Sequence, residues 1–91
     1  MEKVLARIII EGRLQGYNFR YTTQQQATKL GLVGFIRNLS DGRVEIEAQG
    51  DKDNVEKLLT WCQQEPHSSN IRNILYRFDE PSKGYTDFML R

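Results

Sequence analysis

The segment VLARIIIEGRLQGYNFR, residues 4–20, contains the transition on which the fold prediction depends. Its first part, residues 4–11, is an alternating run dominated by β-branched side chains, which predicts a strand at the centre of a sheet. Its second part, residues 12–20, carries two glycines and an asparagine, residues that tolerate the positive φ angles of tight loops. A central strand is therefore followed by a tight loop.

The residues after this loop predict a first helix. Thr22 or Thr23 can cap its N-terminus, because a hydroxyl accepts a hydrogen bond from a main-chain N–H of the first turn. Thr23, Ala27 and Leu30 then recur at helical spacing, and Gly31 stands where a helix would end.

A hairpin and a second helix occupy the middle of the chain. Residues 33–38 and 43–49 predict two strands joined by the turn 40–42. In the second strand the apolar side chains should point inward and the acidic ones outward: Val44, Ile46 and Ala48 against Glu45 and Glu47. The helix, predicted to end before Pro66, is indicated by an apolar stripe at positions i, i+3, i+4 and i+7: Val55, Leu58, Leu59 and Cys62.

The last third of the chain predicts a strand over residues 71–78 and a short terminal strand over 86–90. The main order is strand, helix, strand, strand, helix, strand. This is the α+β, ferredoxin-like βαββαβ sandwich, with two helices packed on one face of an antiparallel sheet. We expect a single domain spanning residues 1–91. The fold alone does not specify a function.

Composition limits the classes of partner. The 91 residues are 38% hydrophobic and 27% charged, with a formal net charge of +1, so the chain as a whole has no strong attraction for nucleic acid or a membrane surface. Cys62 has no second cysteine to pair with, and the N-terminal residues lack the pattern of a signal peptide. We expect a cytoplasmic monomer stabilised by packing and needing no cofactor or metal.

The loop after the first strand is a candidate anion site. A glycine-bearing loop that enters a helix presents several main-chain N–H groups in one concavity, at the positive end of the helix. The candidate binding residues are Gln15, Gly16, Tyr17, Asn18, Phe19 and Arg20. Arg20 can pair two phosphate oxygens through its planar guanidinium. From the spacing alone, an ordinary connecting turn with a solvated arginine remains open.

Asn38 is the second candidate, at the end of the second strand. Its carboxamide both donates and accepts hydrogen bonds and could hold a water molecule. An asparagine in this position can equally be a turn former that bonds to nearby main chain.

Two stretches of the chain resemble acylphosphatase signatures. GRLQGYNFR, residues 12–20, is similar to the pattern G-x-V-Q-G-V-x-F-R, and KLGLVGFIRN, residues 29–38, is similar to K-L-G-L-x-G-W-V-x-N. Residues 41–45, 49–50 and 85–88 also match, so the resemblance covers essentially the whole chain. It implies a ferredoxin-like, metal-independent hydrolase of acyl phosphates. It further implies that Arg20 holds the phosphoryl group and Asn38 orients the attacking water.

The departures from these signatures define the alternative. Tyr17 replaces a small β-branched residue, and Asn18 lies beside it. A catalytically weak or inactive module that binds an anion or a protein is therefore the second hypothesis. Single-stranded RNA binding ranks last, because the expected outward Glu45 and Glu47 would repel phosphates. His67 is predicted to be a solvated surface residue and Cys62 a core residue without a chemical role.

Overall fold

The computed structural model describes residues 2–14, 18–64, 67–81 and 84–91. A 3-10 turn, Ser68–Asn70, precedes the fourth strand. The strands and helices are β1 Lys3–Gly12, α1 Phe19–Lys29, β2 Val33–Asn38, β3 Val44–Asp51, α2 Lys52–Cys62, β4 Ile71–Asp79 and β5 Phe88–Leu90. Neither of these helices is long and apolar enough to cross a bilayer.

The strands form one sheet in the order β4-β1-β3-β2-β5. β1 is antiparallel to both β3 and β4, and β2 is antiparallel to β3, so the predicted βαββαβ arrangement is confirmed. β5 adds an edge strand that runs parallel to β2, which makes the sheet mixed. The main-chain N–H of Gly34 donates to the carbonyl of Asp87 at 2.9 Å, just before β5 begins.

The helices cover one face of the sheet and enclose the core. The fully buried side chains on that face include Ile8 and Ile10 of β1, Ile36 of β2 and Ile46 of β3. All four residues of the predicted α2 stripe are also buried, as its spacing indicated. α1 has few apolar side chains, so its buried residues include a threonine: Phe19, Thr23 and Ala27.

The opposite face carries a buried charge that the alternation did not predict. Glu47 was expected to point into solvent, but only 6% of it is exposed. It does lie on the face away from the helices, between Phe35 and Arg7 in the strand register. The prediction of an exposed Glu47 is wrong because Tyr85, which precedes β5 in the chain, lies over this face. The Tyr85 hydroxyl donates to Oε1 of Glu47 at 2.5 Å, and Arg7 Nε lies 3.4 Å from Oε2.

Candidate active site

The strands that carry the two signature regions end at the same end of the sheet. Ile10 of β1 pairs with Val44 of β3, and Val44 pairs in turn with Asn38 of β2. Asn38 is therefore level with the last residues of β1, which ends at Gly12, where the loop begins. The strand register thus places the start of the loop and Asn38 at the same end of the sheet.

The start of the loop is fixed against the segment before β4. Gly12 packs so closely that an added Cβ would overlap the carbonyl oxygen of Asn70. The same oxygen accepts a hydrogen bond of 2.8 Å from the main-chain N–H of Arg13. The first glycine of the signature is therefore required by a close approach of two main chains.

The loop ends at the N-terminus of α1, whose N-cap lies four residues before Thr22 and five before Thr23, the two predicted caps. The N-cap is Asn18, whose carbonyl accepts from the N–H and the hydroxyl of Thr22, at 2.9 and 2.8 Å. The prediction of a threonine cap is wrong because Phe19 is buried in the core and is already helical. Thr23 instead lies buried on the inner side of α1.

The first turn of α1 suits an anion. The Asn18 side chain makes no capping hydrogen bond, and the turn contains no acidic residue. The first N–H groups of a helix lack intrahelical partners and carry a partial positive charge. A tetrahedral anion at this end is therefore favoured by both hydrogen bonding and the helix dipole.

Arg20 is partly buried and is connected through Arg91 to β2. Its Nη1 donates to the main-chain oxygen of Arg91 at 2.6 Å, and the N–H of Arg91 donates to the carbonyl of Ile36 at 2.9 Å. Within the described residues this is the one hydrogen bond of the Arg20 side chain. A guanidinium has five N–H donors, so one contact orients the group and leaves others for a phosphate.

Asn38 is exposed, and its carboxamide has no hydrogen-bond partner within the described residues. The adjoining turn is held by other groups. The N–H of Leu39 donates to the carbonyl of Arg43 at 2.7 Å, and the carboxylate of Asp41 accepts from the N–H and Nε of Arg43, at 3.0 and 2.7 Å. The hydrogen bond from the Arg43 N–H lowers the pKa of Asp41. Asn38 is therefore not needed as a turn former.

The remaining predicted binding residues divide into two groups. Gln15, Gly16 and Tyr17 lie outside the described residues, so their contacts with an anion stay predictions. Asn18 is exposed at the helix N-terminus, whereas the Phe19 side chain is 1% exposed and points into the core. Phe19 can face an anion only through its main chain.

His67 is the clearest correction to the sequence interpretation. It was predicted to be solvated, but it is 6% exposed and packs against two aromatic rings. Its centroid lies 5.1 Å from that of Phe19 and 4.4 Å from that of Trp61. Three separate segments converge here, so spacing along the chain carried no signal of the contact. Cys62 is buried as predicted, and its burial raises the pKa of the thiol to about 12.

The similarity of this chain to known proteins covers nearly its whole length. The acylphosphatase family profile matches residues 6–90. An acylphosphatase of Nostoc sp. is 40% identical over 78 residues, which are 86% of this chain and 77% of that protein. The crystal structure of acylphosphatase from Bacillus subtilis matches with a TM-score of 0.88 at 30% identity, covering 97% of this chain and 98% of that one. An acylphosphatase structure from Coxiella burnetii gives a TM-score of 0.88 at 29% identity, covering 99% and 94%.

Proposed function

This chain belongs to the acylphosphatase family and hydrolyses acyl phosphates to a carboxylate and inorganic phosphate; from that premise we propose that Arg20 binds the phosphoryl group and Asn38 positions the attacking water. The observation that carries the proposal is the strand register, which places Gly12, where the loop leaves β1, and Asn38 at the same end of the sheet. Arg20 is the second residue of α1, in a first turn without a carboxylate.

Arg20 and the loop bind the phosphoryl group. The guanidinium, oriented by its hydrogen bond to Arg91, pairs with phosphoryl oxygens, and main-chain N–H groups at the start of α1 complete the cradle. We include Gln15, Gly16, Tyr17, Asn18 and the main chain of Phe19 in this cradle. Charge on the equatorial oxygens is thereby stabilised as it shifts in a loose transition state.

Asn38 holds the water through a carboxamide that can accept one hydrogen bond and donate others. The water oxygen bonds to phosphorus while the anhydride P–O bond breaks. The electron pair of the broken bond leaves with the carboxylate. One water proton stays on the phosphate and the other passes to phosphate or solvent. Because a carboxylate is a good leaving group, the reaction needs no strong general acid and, in this proposal, no metal or cofactor.

The wider properties of the protein complete the proposal. We propose one domain over residues 1–91 and a cytoplasmic monomer without nucleic-acid or membrane partners. Its exposed apolar side chains on strands are divided between β4 and β5, which are opposite edges of the sheet. Such separated side chains do not form one continuous apolar patch. The near-balanced charge supports a small-molecule substrate.

The test is the hydrolysis of benzoyl phosphate in the presence of a chelator, with Arg20→Ala, Asn38→Ala and the control Arg77→Ala. Arg77 is an exposed arginine of β4 that pairs with Asp79. Arg20→Ala should lower kcat/KM by about a thousandfold or more and raise the inhibition constant of phosphate. Asn38→Ala should lower kcat about a hundredfold while phosphate binding is nearly unchanged.

Each variant can contradict its own assignment. Unchanged phosphate binding by Arg20→Ala would remove the arginine from the cradle. Equal losses of binding and turnover in Asn38→Ala would indicate a structural role for the amide. A folded wild-type protein that binds phosphate without hydrolysing benzoyl phosphate would be the inactive binding module.

A further inference from the structure

The segment from His67 to Asn70 contacts both ends of the proposed phosphate loop. At one end, the carbonyl of Asn70 accepts from the N–H of Arg13 and packs against Gly12. At the other end, the ring of His67 packs on Phe19, the first residue of α1. Hydrogen bonds make the segment itself compact, since the N–H of Asn70 donates to the carbonyl of His67 at 2.9 Å. One short segment therefore sets where the loop begins and where it ends.

His67 belongs to a cluster of three rings, hereafter the ring cluster, formed with Phe19 and Trp61. The His67 and Phe19 planes meet at 72°, an edge-to-face contact, whereas Phe19 and Trp61 are nearly parallel at 18° with centroids 6.1 Å apart. The cluster joins the first turn of α1, the last turn of α2 and the segment before the 3-10 turn. Edge-to-face packing is directional, so it fixes the position of a ring better than general apolar burial does.

We propose that His67 is a positioning residue for acyl phosphate hydrolysis, and that its ring holds Phe19 so that Arg20 and the first N–H groups of α1 face the phosphoryl group. The proposal rests on the function proposed above for Arg20. Phe19 and Arg20 are consecutive residues of one helix, so a displacement of the Phe19 ring is transmitted to the guanidinium through the main chain. Misplacement of a binding group by about 1 Å can lower a rate by a hundredfold.

Removal of the His67 ring should therefore change binding as well as turnover. The space left beside Phe19 would allow α1 to shift at the end that forms the cradle. A purely structural contribution would act differently, because a smaller folded fraction lowers the apparent kcat and leaves KM and the phosphate inhibition constant unchanged. The division between KM and kcat distinguishes these two roles.

Trp61 gives a spectroscopic signal of the same contact, since it is the only tryptophan in the chain. Its ring touches both His67 and Phe19, so its emission reports the arrangement of the ring cluster. If the cluster positions the cradle, binding of inorganic phosphate and the state of the cluster are linked. Phosphate should change Trp61 emission with a dissociation constant equal to the kinetic inhibition constant.

The experiment compares His67→Ala, His67→Phe and the control Val55→Ala, using benzoyl phosphate as substrate and inorganic phosphate as inhibitor. Val55 is buried one turn into α2, near Lys52, whose main-chain N–H donates to the carbonyl of Glu2, just before the start of β1 and at the opposite end of that strand from Gly12. We expect His67→Ala to raise KM and the phosphate inhibition constant about fivefold to tenfold and to lower kcat/KM by more than tenfold. His67→Phe, which keeps a planar ring, should return all three parameters to within about threefold of the wild type. If the alanine variant does not fold, His67→Leu removes the planar ring while filling more of its space.

The outcomes separate this inference from the proposed function. The positioning role alone would be overturned if His67→Ala and His67→Leu kept the wild-type KM and phosphate inhibition constant while Arg20→Ala was inactive. Full activity of Arg20→Ala would overturn the cradle and the positioning role together. Val55→Ala should lose stability and keep its KM. A KM raised equally in Val55→Ala would show that any loss of core volume disturbs the cradle, and would also overturn the inference.

Discussion

Replacement of Tyr85 by phenylalanine tests the hydrogen bond to the buried Glu47, on the sheet face away from the helices. The change removes one oxygen atom, which donates a hydrogen bond of 2.5 Å to Oε1 of Glu47. The Tyr85 ring keeps its edge-to-face contact with Phe35, at 6.2 Å between centroids. The variant therefore isolates the hydrogen bond from the packing of the C-terminal segment.

The expected magnitude follows from the hydrogen bond between Tyr85 and Glu47. A hydrogen bond to a charged group contributes about 1.5–3 kcal/mol to stability. Burial, followed by the hydrogen bond to Glu47, raises the pKa of Tyr85 from 10.0 to about 12. Because burial is the larger cause of that shift, the shift defines the pH range of the effect and not its size, and solvent screening of this half-buried group places the contribution near the lower end of about 1.5–3 kcal/mol. We expect Tyr85→Phe to lower the free energy of unfolding by about 1–2 kcal/mol, or the Tm by about 5–10 °C.

The pH dependence has a defined sign. The raised pKa means that the folded state favours the protonated phenol, so the stabilisation is complete below about pH 10 and is lost between about pH 10 and pH 12. The difference between the wild type and Tyr85→Phe should be constant from pH 6 to pH 9 and should decrease above pH 10.

Urea unfolding at several pH values measures this difference, with Tyr76→Phe as the control. Tyr76 is 53% exposed on β4, and its hydroxyl has no hydrogen-bond partner within the described residues. Equal stability of the two variants at pH 7 would refute the contribution of the buried hydrogen bond. A Tyr85→Phe difference that stayed the same up to pH 12 would refute the role of the phenolic proton.

The other predictions concern two glycines with positive φ angles and the buried cysteine. Gly34→Ala should destabilise the fold by more than about 3 kcal/mol, since its φ is 142° and an added Cβ would overlap the carbonyl of Glu47. Gly31→Ala, with φ 71° but open space around the added Cβ, should cost about 1–2 kcal/mol, and similar urea midpoints for these two variants would contradict the overlap. Cys62, buried with a pKa of about 12, should react with a thiol reagent at pH 8 about a thousandfold more slowly than an exposed cysteine; fast labelling of the folded protein would disprove its burial.

Local patterns predicted the elements that bury a regular stripe or face. The spacing of the apolar residues located α2, and the alternation in residues 4–11 located β1. α1 was less well defined because few of its side chains are apolar, so the threonine hydroxyls misled the assignment of its start. The start of α1 depends on Phe19, whose partners Trp61 and His67 are distant in the sequence.

The candidate site was predictable to a similar extent. The loop and Asn38 were recognised from the signatures. The register of β1, β2 and β3 places the start of the loop and Asn38 at the same end of the sheet. The contact of Arg20 with Arg91 and the burial of His67 were not recognised. Both join residues from opposite parts of the chain, and each depends on where a connecting segment folds back.

The sequence by itself determined the order of strands and helices, the face of each that enters the core, and the family to which the chain belongs. The order and the faces follow from side-chain periods of two and about 3.6 residues, which act locally, whereas the family was recognised from the signatures in residues 12–20 and 29–38. Only the tertiary structure decided that Tyr85 covers Glu47, that β5 runs parallel to β2, and that His67 lies against Phe19. A periodic pattern shows which side of an element is apolar, but the segment that covers the other side is selected by packing between residues far apart in the chain.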